Sequence, residues 1–202
     1  MVESDIVWSI NIGKEYEMAK TNLTKLCESA LWKENNKQGV FGCFEVGIGW
    51  EGREIVDFIT YKTTGEFRCY EIKVSKSDFK SRANLSFYGD YNYYVMPVQL
   101  YKELVLEEQK KAEKNQFFND DPKKAFDMGI KNKGIGILLV TQQGYMSSQI
   151  GAKRKNVNLS MRAKLMESMV RSLNREVGKF YKISPYWGKE VSPQEQLELI
   201  SE

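Results

Sequence analysis

Two neighbouring apolar stretches of this sequence carry charges that could do chemistry together. "RCYEIKVSKSDF", residues 68–79, sets Glu71 and Lys73 two apart in a run rich in aromatic and β-branched residues. "REIVDFITY", residues 53–61, sets Asp57 alone among Ile55, Val56, Phe58 and Ile59. Side chains alternate along a strand, so Glu71 and Lys73 share a face roughly 7 Å apart, with Cys69 and Ser75 on the same side. Adjacent strands lie about 4.8 Å apart, which puts Asp57 beside Glu71 if the register agrees. Two carboxylates that close repel one another unless a cation sits between them. A hard divalent ion suits them, since Mg²⁺ takes one or two carboxylates and completes its shell with water and phosphate oxygens. Lys73 would then stand next to that water, placed to hold it and to offset charge developing on a phosphate oxygen. The bare string [DE]-x-K occurs four times, at Glu71-Lys73, Asp78-Lys80, Glu108-Lys110 and Asp121-Lys123. Of these, the first alone lies in an apolar strand that follows a strand with a lone acid and precedes a helix. A solvent-facing strand with an ordinary Glu/Lys pair is the alternative the residues leave open.

Composition narrows the chemistry further. There is no histidine in the 202 residues, which removes Ser-His-Asp and Cys-His catalysis and histidine-ligated zinc. Cys27, Cys43 and Cys69 are far apart with no C-x-x-C pair, so they read as small buried hydrophobes rather than a disulfide framework or metal site. No phosphate-binding loop of the G-x-x-x-x-G-K-[ST] type is present. With 42% hydrophobic and 28% charged residues, the chain reads as one globular domain over 1–182 with a tail over 183–202. It shows no signal peptide and no apolar run long enough for a membrane span, so the expectation is a cytoplasmic protein.

Net charge is only +3, but between residues 151 and 182 nine lysines and arginines face two glutamates. That asymmetry suggests a polyanion-facing side, although a solvated helix face has the same composition. Lys153, Arg154 and Lys155 form its densest cluster and suit phosphate contacts. Lys76, Lys80 and Arg82 flank the proposed metal site and are further candidates for phosphate binding.

The elements that must position these groups follow from periodicity. Residues 14–34 read as a helix, and 40–74 as a three-stranded meander turning at "WEG" and "KTTG". Ser75 and Asp78 look like a capping box for the next helix rather than catalysts, with Gly89 where that helix would stop. "YNYYVMP" reads as a fourth strand whose tyrosines are core more than base-stacking groups, and residues 98–114 as a surface helix. Residues 115–133 show no clean period and read as a loop or insertion. "GIGILLVT" is a buried fifth strand, "GYMSSQI" hairpins beside it, and residues 160–181 form a long amphipathic helix. The expected class is α/β, an αβββαβ core over 14–97 with an extension over 98–182 that adds a strand hairpin and a basic helix.

D-(x)13-E-x-K on the second and third strands of such a core resembles the PD-(D/E)XK nuclease superfamily, whose fold is restriction-endonuclease-like. Asp57 matches the motif's first acid, with Val56 where a proline often stands; Glu71 matches the second acid and Lys73 the lysine. The resemblance implies metal binding by Asp57 and Glu71, water activation by Lys73, and Mg²⁺ or Mn²⁺ as cofactor. It also implies another glutamate, for which Glu45 on the first strand and Glu28 on the helix are the candidates, Glu45 being the more conspicuous. "YEIKVSKSDFKS", "YNYYVMP" and "GIGILLV" with the basic helix are further similar to small MmcB-like DNA repair proteins of bacteria and phages, over roughly 40–180. The expectation is a metal-dependent DNA nuclease in repair, recombination or phage DNA processing, with a homodimer left open. The alternatives are a non-cleaving DNA-binding accessory on the same fold, or an interaction protein whose Glu71 and Lys73 merely pair.

Overall fold

The Thr21 side chain accepts a hydrogen bond from the Thr24 N–H at 3.2 Å and so starts the first helix of the computed structural model. The structure describes residues 20–48, 54–81, 87–114, 121–186 and 188. Helix α1 (Asn22–Asn35) thus begins where a hydroxyl satisfies an orphan amide, and the start expected at 14–19 lies outside the described residues. Strands β1 (Val40–Ile48), β2 (Glu54–Lys62), β3 (Phe67–Ile72), β4 (Tyr91–Pro97), β5 (Gly136–Val140) and β6 (Met146–Ile150) join in one six-stranded sheet, in chain order. The β1–β2–β3 meander is antiparallel, β3, β4 and β5 run parallel, and β6 returns antiparallel to β5. Helices α2 (Lys76–Lys80), α3 (Val98–Lys114), α4 (Pro122–Asn132) and α5 (Leu159–Ile183) complete a mixed α/β fold with helices on both faces.

Each sheet face has its own cover, as parallel strands require. On one face α1 packs Cys27, Ala30 and Leu31 over Phe58, Tyr70, Ile72 and Val95. On the other, α5 sets Leu165 and Met169 over Val46, Val56, Ile59 and Cys69 of the meander. Beside α5, helices α3 and α4 cover Tyr94, Met96, Ile137 and Leu139 with Leu100, Leu104 and Ile130. The three cysteines are free and buried, as expected, and burial pushes the thiols of Cys27 and Cys69 up to about 12 and that of Cys43 to about 11.

Three expectations are corrected. The segment expected to be a loop contains α4, which Asp121 caps by accepting the Lys123 N–H at 3.0 Å, with Pro122 in the first turn. Its apolar face is only Phe126 and Ile130, one turn apart, too narrow to show a period among so many polar residues. Residues 115–120 lie outside the described residues. Helix α2 is a single short stretch that ends at Ser81, whose backbone is extended (φ −57, ψ 141); residues 82–86, including Arg82, lie outside the described residues. Gly89 is not a helix stop. It lies against β3, where a Cβ would stand 2.9 Å from the Cys69 nitrogen and 3.0 Å from the Phe67 oxygen.

The start of β3 is fixed by a buried carboxylate. Asp90, wholly buried, accepts the Phe67 N–H at 2.9 Å and is gripped by both terminal nitrogens of Arg162 from α5. Arg162 also donates to the carbonyls of Gly65 (2.5 Å) and Val157 (3.1 Å), and the Lys155 N–H donates to the Asp90 carbonyl at 2.7 Å. This clamp fixes α5 and the irregular segment before it to the amino-terminal edge of β3 and β4.

Candidate active site

At the other end of β3 the sheet comes apart in a specific way. The β2–β3 ladder runs from Tyr61↔Phe67 to Phe58↔Tyr70 and stops. One step further, at Asp57 and Glu71, no ladder pair forms. Asp57 turns its carboxylate to the Ile72 N–H, 2.7 Å away, so a side-chain oxygen replaces the backbone acceptor the ladder would have supplied. On the other side of β2, the ladder passes from Phe44↔Phe58 to Val46↔Val56 without pairing the intervening Glu45 and Asp57. Glu45 has φ 51 and is the one non-glycine residue with positive φ among the described residues. That conformation costs about 1–2 kcal/mol for an L residue. Neither Asp57 and Glu71 nor Glu45 and Asp57 form a ladder pair: each ladder is interrupted at Asp57, and the charged groups acting on its carboxylate are Lys73, Asp78 and Glu28.

Glu71 and Lys73 are 5% and 7% exposed, so a solvent-facing pair is excluded. β3 is an interior strand, which makes both of its faces inner surfaces. The Lys73 N–H donates to the Val95 carbonyl at 2.9 Å, and its ammonium donates to Asp78 Oδ1 at 3.2 Å. Asp78 Oδ2 accepts the Val74 N–H at 3.2 Å, and the Asp78 N–H donates to Ser75 Oγ at 3.1 Å. Ser75 and Asp78 do cap α2 as expected. Asp78 additionally anchors the lysine, a role its position in a cap motif does not reveal.

The electrostatics of the cluster are dominated by burial. Burial pushes the Asp57 carboxyl above the ordinary aspartate range; the Ile72 N–H and the Lys73 ammonium pull it back, and Asp78 and Glu28 push it up again. Tyr94, Glu71's partner across the β3–β4 register, is pushed up to about 12 by burial and then by the Glu71 charge. Glu28 and Glu45 are joined by one lysine: Lys20 Nζ lies 2.7 Å from Glu28 and 2.6 Å from Glu45. Burial lowers the Lys20 pKa, but its bonds to both glutamates outweigh this and raise it to about 12. The glutamates the sequence offered as alternatives are thus neighbours, with Glu28 the more enclosed at 22% side-chain exposure against 51% for Glu45. Nothing in the local sequence of Lys20 marks this role, which depends on residues 8 and 25 positions further along the chain.

The basic candidates divide. Lys76 lies near the site but reaches Glu103 of α3 at 4.0 Å, and Lys80 is bonded to Glu107 of the same helix. Lys153, Arg154 and Lys155 are exposed and lie at the opposite end of β3 and β4, beside Asp90. Lys73 is six residue steps beyond Phe67, about 20 Å at the strand rise. Tyr94 is core as expected, whereas Tyr93 and Tyr91 are half-buried, Tyr93 stacked on Tyr70 and Tyr91 lying under Arg68.

The Asp57 carboxylate lies within the field of the buried Lys73 ammonium, and the buried Glu71 precedes Lys73 by two residues. Asp57 and Glu71 suit Mg²⁺ or Mn²⁺: burial disfavours the lone Asp57 anion, and a cation there would reverse that penalty. Among the described residues no set of three or more acid, cysteine or histidine side chains is drawn together as a ready-made metal cage. Two carboxylates with water filling the shell is the arrangement open to this ion. No helix among the described residues is long and apolar enough to cross a membrane.

No family model matches the chain, and no curated protein is matched. Among solved structures, the chain is similar to the SPO1766 protein of unknown function from Silicibacter pomeroyi, at 14% identity and a TM-score of 0.55, over 78% of this chain and 90% of that one. At that identity the likeness concerns the fold alone.

Proposed function

We propose that the protein is a Mg²⁺- or Mn²⁺-dependent DNA nuclease of the PD-(D/E)XK type, acting in DNA repair, recombination or phage DNA processing. The observation that carries this reading is the break in the β2–β3 ladder, where the Asp57 carboxylate takes the Ile72 N–H between the buried Glu71 and Lys73. The order of elements and the change from antiparallel to parallel pairing at β3 are what a restriction-endonuclease-like core requires, and so support the reading.

Asp57 and Glu71 would hold the ion, and Glu28, whose field Asp57 feels, is the better placed of the two additional glutamates. When bound, the ion stabilises negative charge on a phosphate oxygen and eases ionisation of water. The chain's own contribution is positional. The Ile72 N–H fixes one Asp57 oxygen, leaving the carboxylate's orientation settled before any ligand arrives. Asp78 holds the Lys73 ammonium in a pocket with little water, where its charge acts strongly on a nearby phosphate oxygen. The test is cleavage of linear, branched and single-stranded DNA with Mg²⁺ or Mn²⁺. Asp57→Asn, Glu71→Gln and Lys73→Ala are each expected to abolish it, and cleavage that persists in any of them would remove that residue from the site.

One observation favours a second reading, a DNA-binding accessory that does not cut: Lys73 is paired with Asp78 rather than poised in the open. That reading predicts salt-sensitive DNA binding with no metal-dependent product.

A further inference from the structure

Helix α4, unforeseen in the sequence, changes the distribution of charge. Between residues 121 and 155 there are seven lysines and arginines against two aspartates, more than the whole chain's net charge of +3. The fold gathers them. Lys123, Lys124 and Lys131 line a groove of about 730 Å³ between α4 and β6, whose floor includes Gln149 and Gly151. Gly134, which ends α4 with φ 73, accepts the Lys153 N–H at 3.0 Å, so Lys131 and Lys133 adjoin the 153–155 cluster. All seven cations are exposed. Of the two acids, Asp121 caps α4, while Asp127 accepts from the Tyr101 hydroxyl at 2.7 Å and Gln149 at 3.0 Å. Both line the groove and Asp127 also lies 3.9 Å from the Lys123 ammonium, which leaves an excess of positive charge along the track.

We infer that this continuous track, from the α4–β6 groove across residues 153–155, binds the phosphodiester backbone of a DNA duplex arm. The inference rests on the reading of the site as a DNA-processing centre and adds where the substrate extends. A phosphate chain matches a line of separated, exposed cations. A membrane surface matches less well, because α4 turns Phe126 and Ile130 inward and shows solvent its lysines with the single exposed methionine Met128. The track begins about 20 Å from Lys73 by the strand rise. At about 3.4 Å per base pair, that distance is spanned by about six base pairs beyond the reacting bond.

The test measures binding in chelator by fluorescence anisotropy, apart from any cutting, with a duplex of about 20 base pairs between about 50 and 200 mM salt. Lys131→Gln/Lys133→Gln/Lys153→Gln is expected to weaken binding at least about tenfold at the lower salt and to flatten the logarithmic salt dependence by about 2–3. Lys179→Gln/Lys182→Gln, on the distal half of α5, is expected to flatten it by less than about 1. Hairpin stems of about 12 base pairs are expected to bind much more tightly than stems of about 4, and the track variant to lose that difference. Unchanged binding in the triple variant, equal loss in the α5 variant, or stronger retention on phosphatidylserine vesicles than on duplex overturns the inference. Track-dependent binding without metal-dependent cleavage supports it while refuting the nuclease reading. Cleavage with binding indifferent to the track does the reverse.

Discussion

Strand β3 is held at each end by an aspartate, and the two are used in opposite ways. At its start, Asp90 takes the Phe67 N–H and is neutralised by two nitrogens of Arg162. At its end, Asp57 takes the Ile72 N–H, yet its surroundings mix one cation, Lys73, with two further acids, Asp78 and Glu28. A buried carboxylate given a bidentate guanidinium is satisfied and rigid. One given a single N–H and conflicting charges is held above the ordinary carboxylate range. The same residue type, doing the same backbone job on the same strand, is a neutralised clamp at one end and a carboxylate in a mixed field at the other. Glu45's left-handed backbone beside Asp57 fits that contrast, since strain persists where the surroundings demand it.

The comparison can be broken most forcefully at the clamp. Arg162→Met leaves Asp90 buried without its counter-charge and is expected to cost about 3–5 kcal/mol, a fall in melting temperature of about 10 °C. A shift of under about 2 °C in calorimetry would mean that Asp90 does not depend on Arg162. The Asp57 end should respond in the other direction. Asp57→Asn keeps an oxygen for the Ile72 N–H while removing a desolvated charge, so its melting temperature should rise above wild type at neutral pH. Asp57→Ala orphans that N–H and should fall below the Asn variant by about 1–3 kcal/mol.

The effect has a defined pH sign. A carboxyl raised in the folded state supports folding most when protonated, below the ordinary aspartate pKa of about 3.9. That support is lost as pH climbs through the raised value. The advantage of Asn over wild type should therefore widen with pH across that window and then level off, as thermal melts at stepped pH would read. A constant gap would mean that Asp57 titrates normally. Smaller still, Glu45→Gly relieves the left-handed strain and should stabilise by about 1 kcal/mol in urea titration; destabilisation would show that Glu45's side chain matters more to the fold than its backbone. Least of all, Lys76→Ala, which loses an exposed pair with Glu103, should change stability by under about 0.5 kcal/mol in the same measurement, and a larger loss would place Lys76 in the architecture.

Much of this was legible in the sequence, for physical reasons that also mark where legibility ended. Strand alternation is local, so Glu71 and Lys73 could be assigned to one face before the neighbours were known. The order of elements and the capping role of Ser75 were readable from turn and cap residues. What the sequence withheld was chiefly long-range. That Asp57 ends the ladder, that Lys20 joins Glu28 to Glu45, and that Arg162 grips Asp90 depend on register and on segments distant in the chain. The parallel direction of β4 placed Lys153–Lys155 at the far end of the sheet from Lys73, which no local pattern announces. Helix α4 was different: Asp121, Pro122 and the Phe126/Ile130 spacing were a readable start signal, outweighed by the polar residues around them.

The cysteines give the molecule a built-in clock. Cys27 lies in α1, Cys43 in β1 and Cys69 in β3, and each thiol is buried and far less acidic than a free one. A thiolate-selective reagent can label them only when the structure around each one opens. Their separate labelling rates would time the opening of the helix that carries Glu28 and of the two strands flanking Asp57. Whether those rates slow together when divalent cation is added reports, with no substrate present, whether the three elements share one ion.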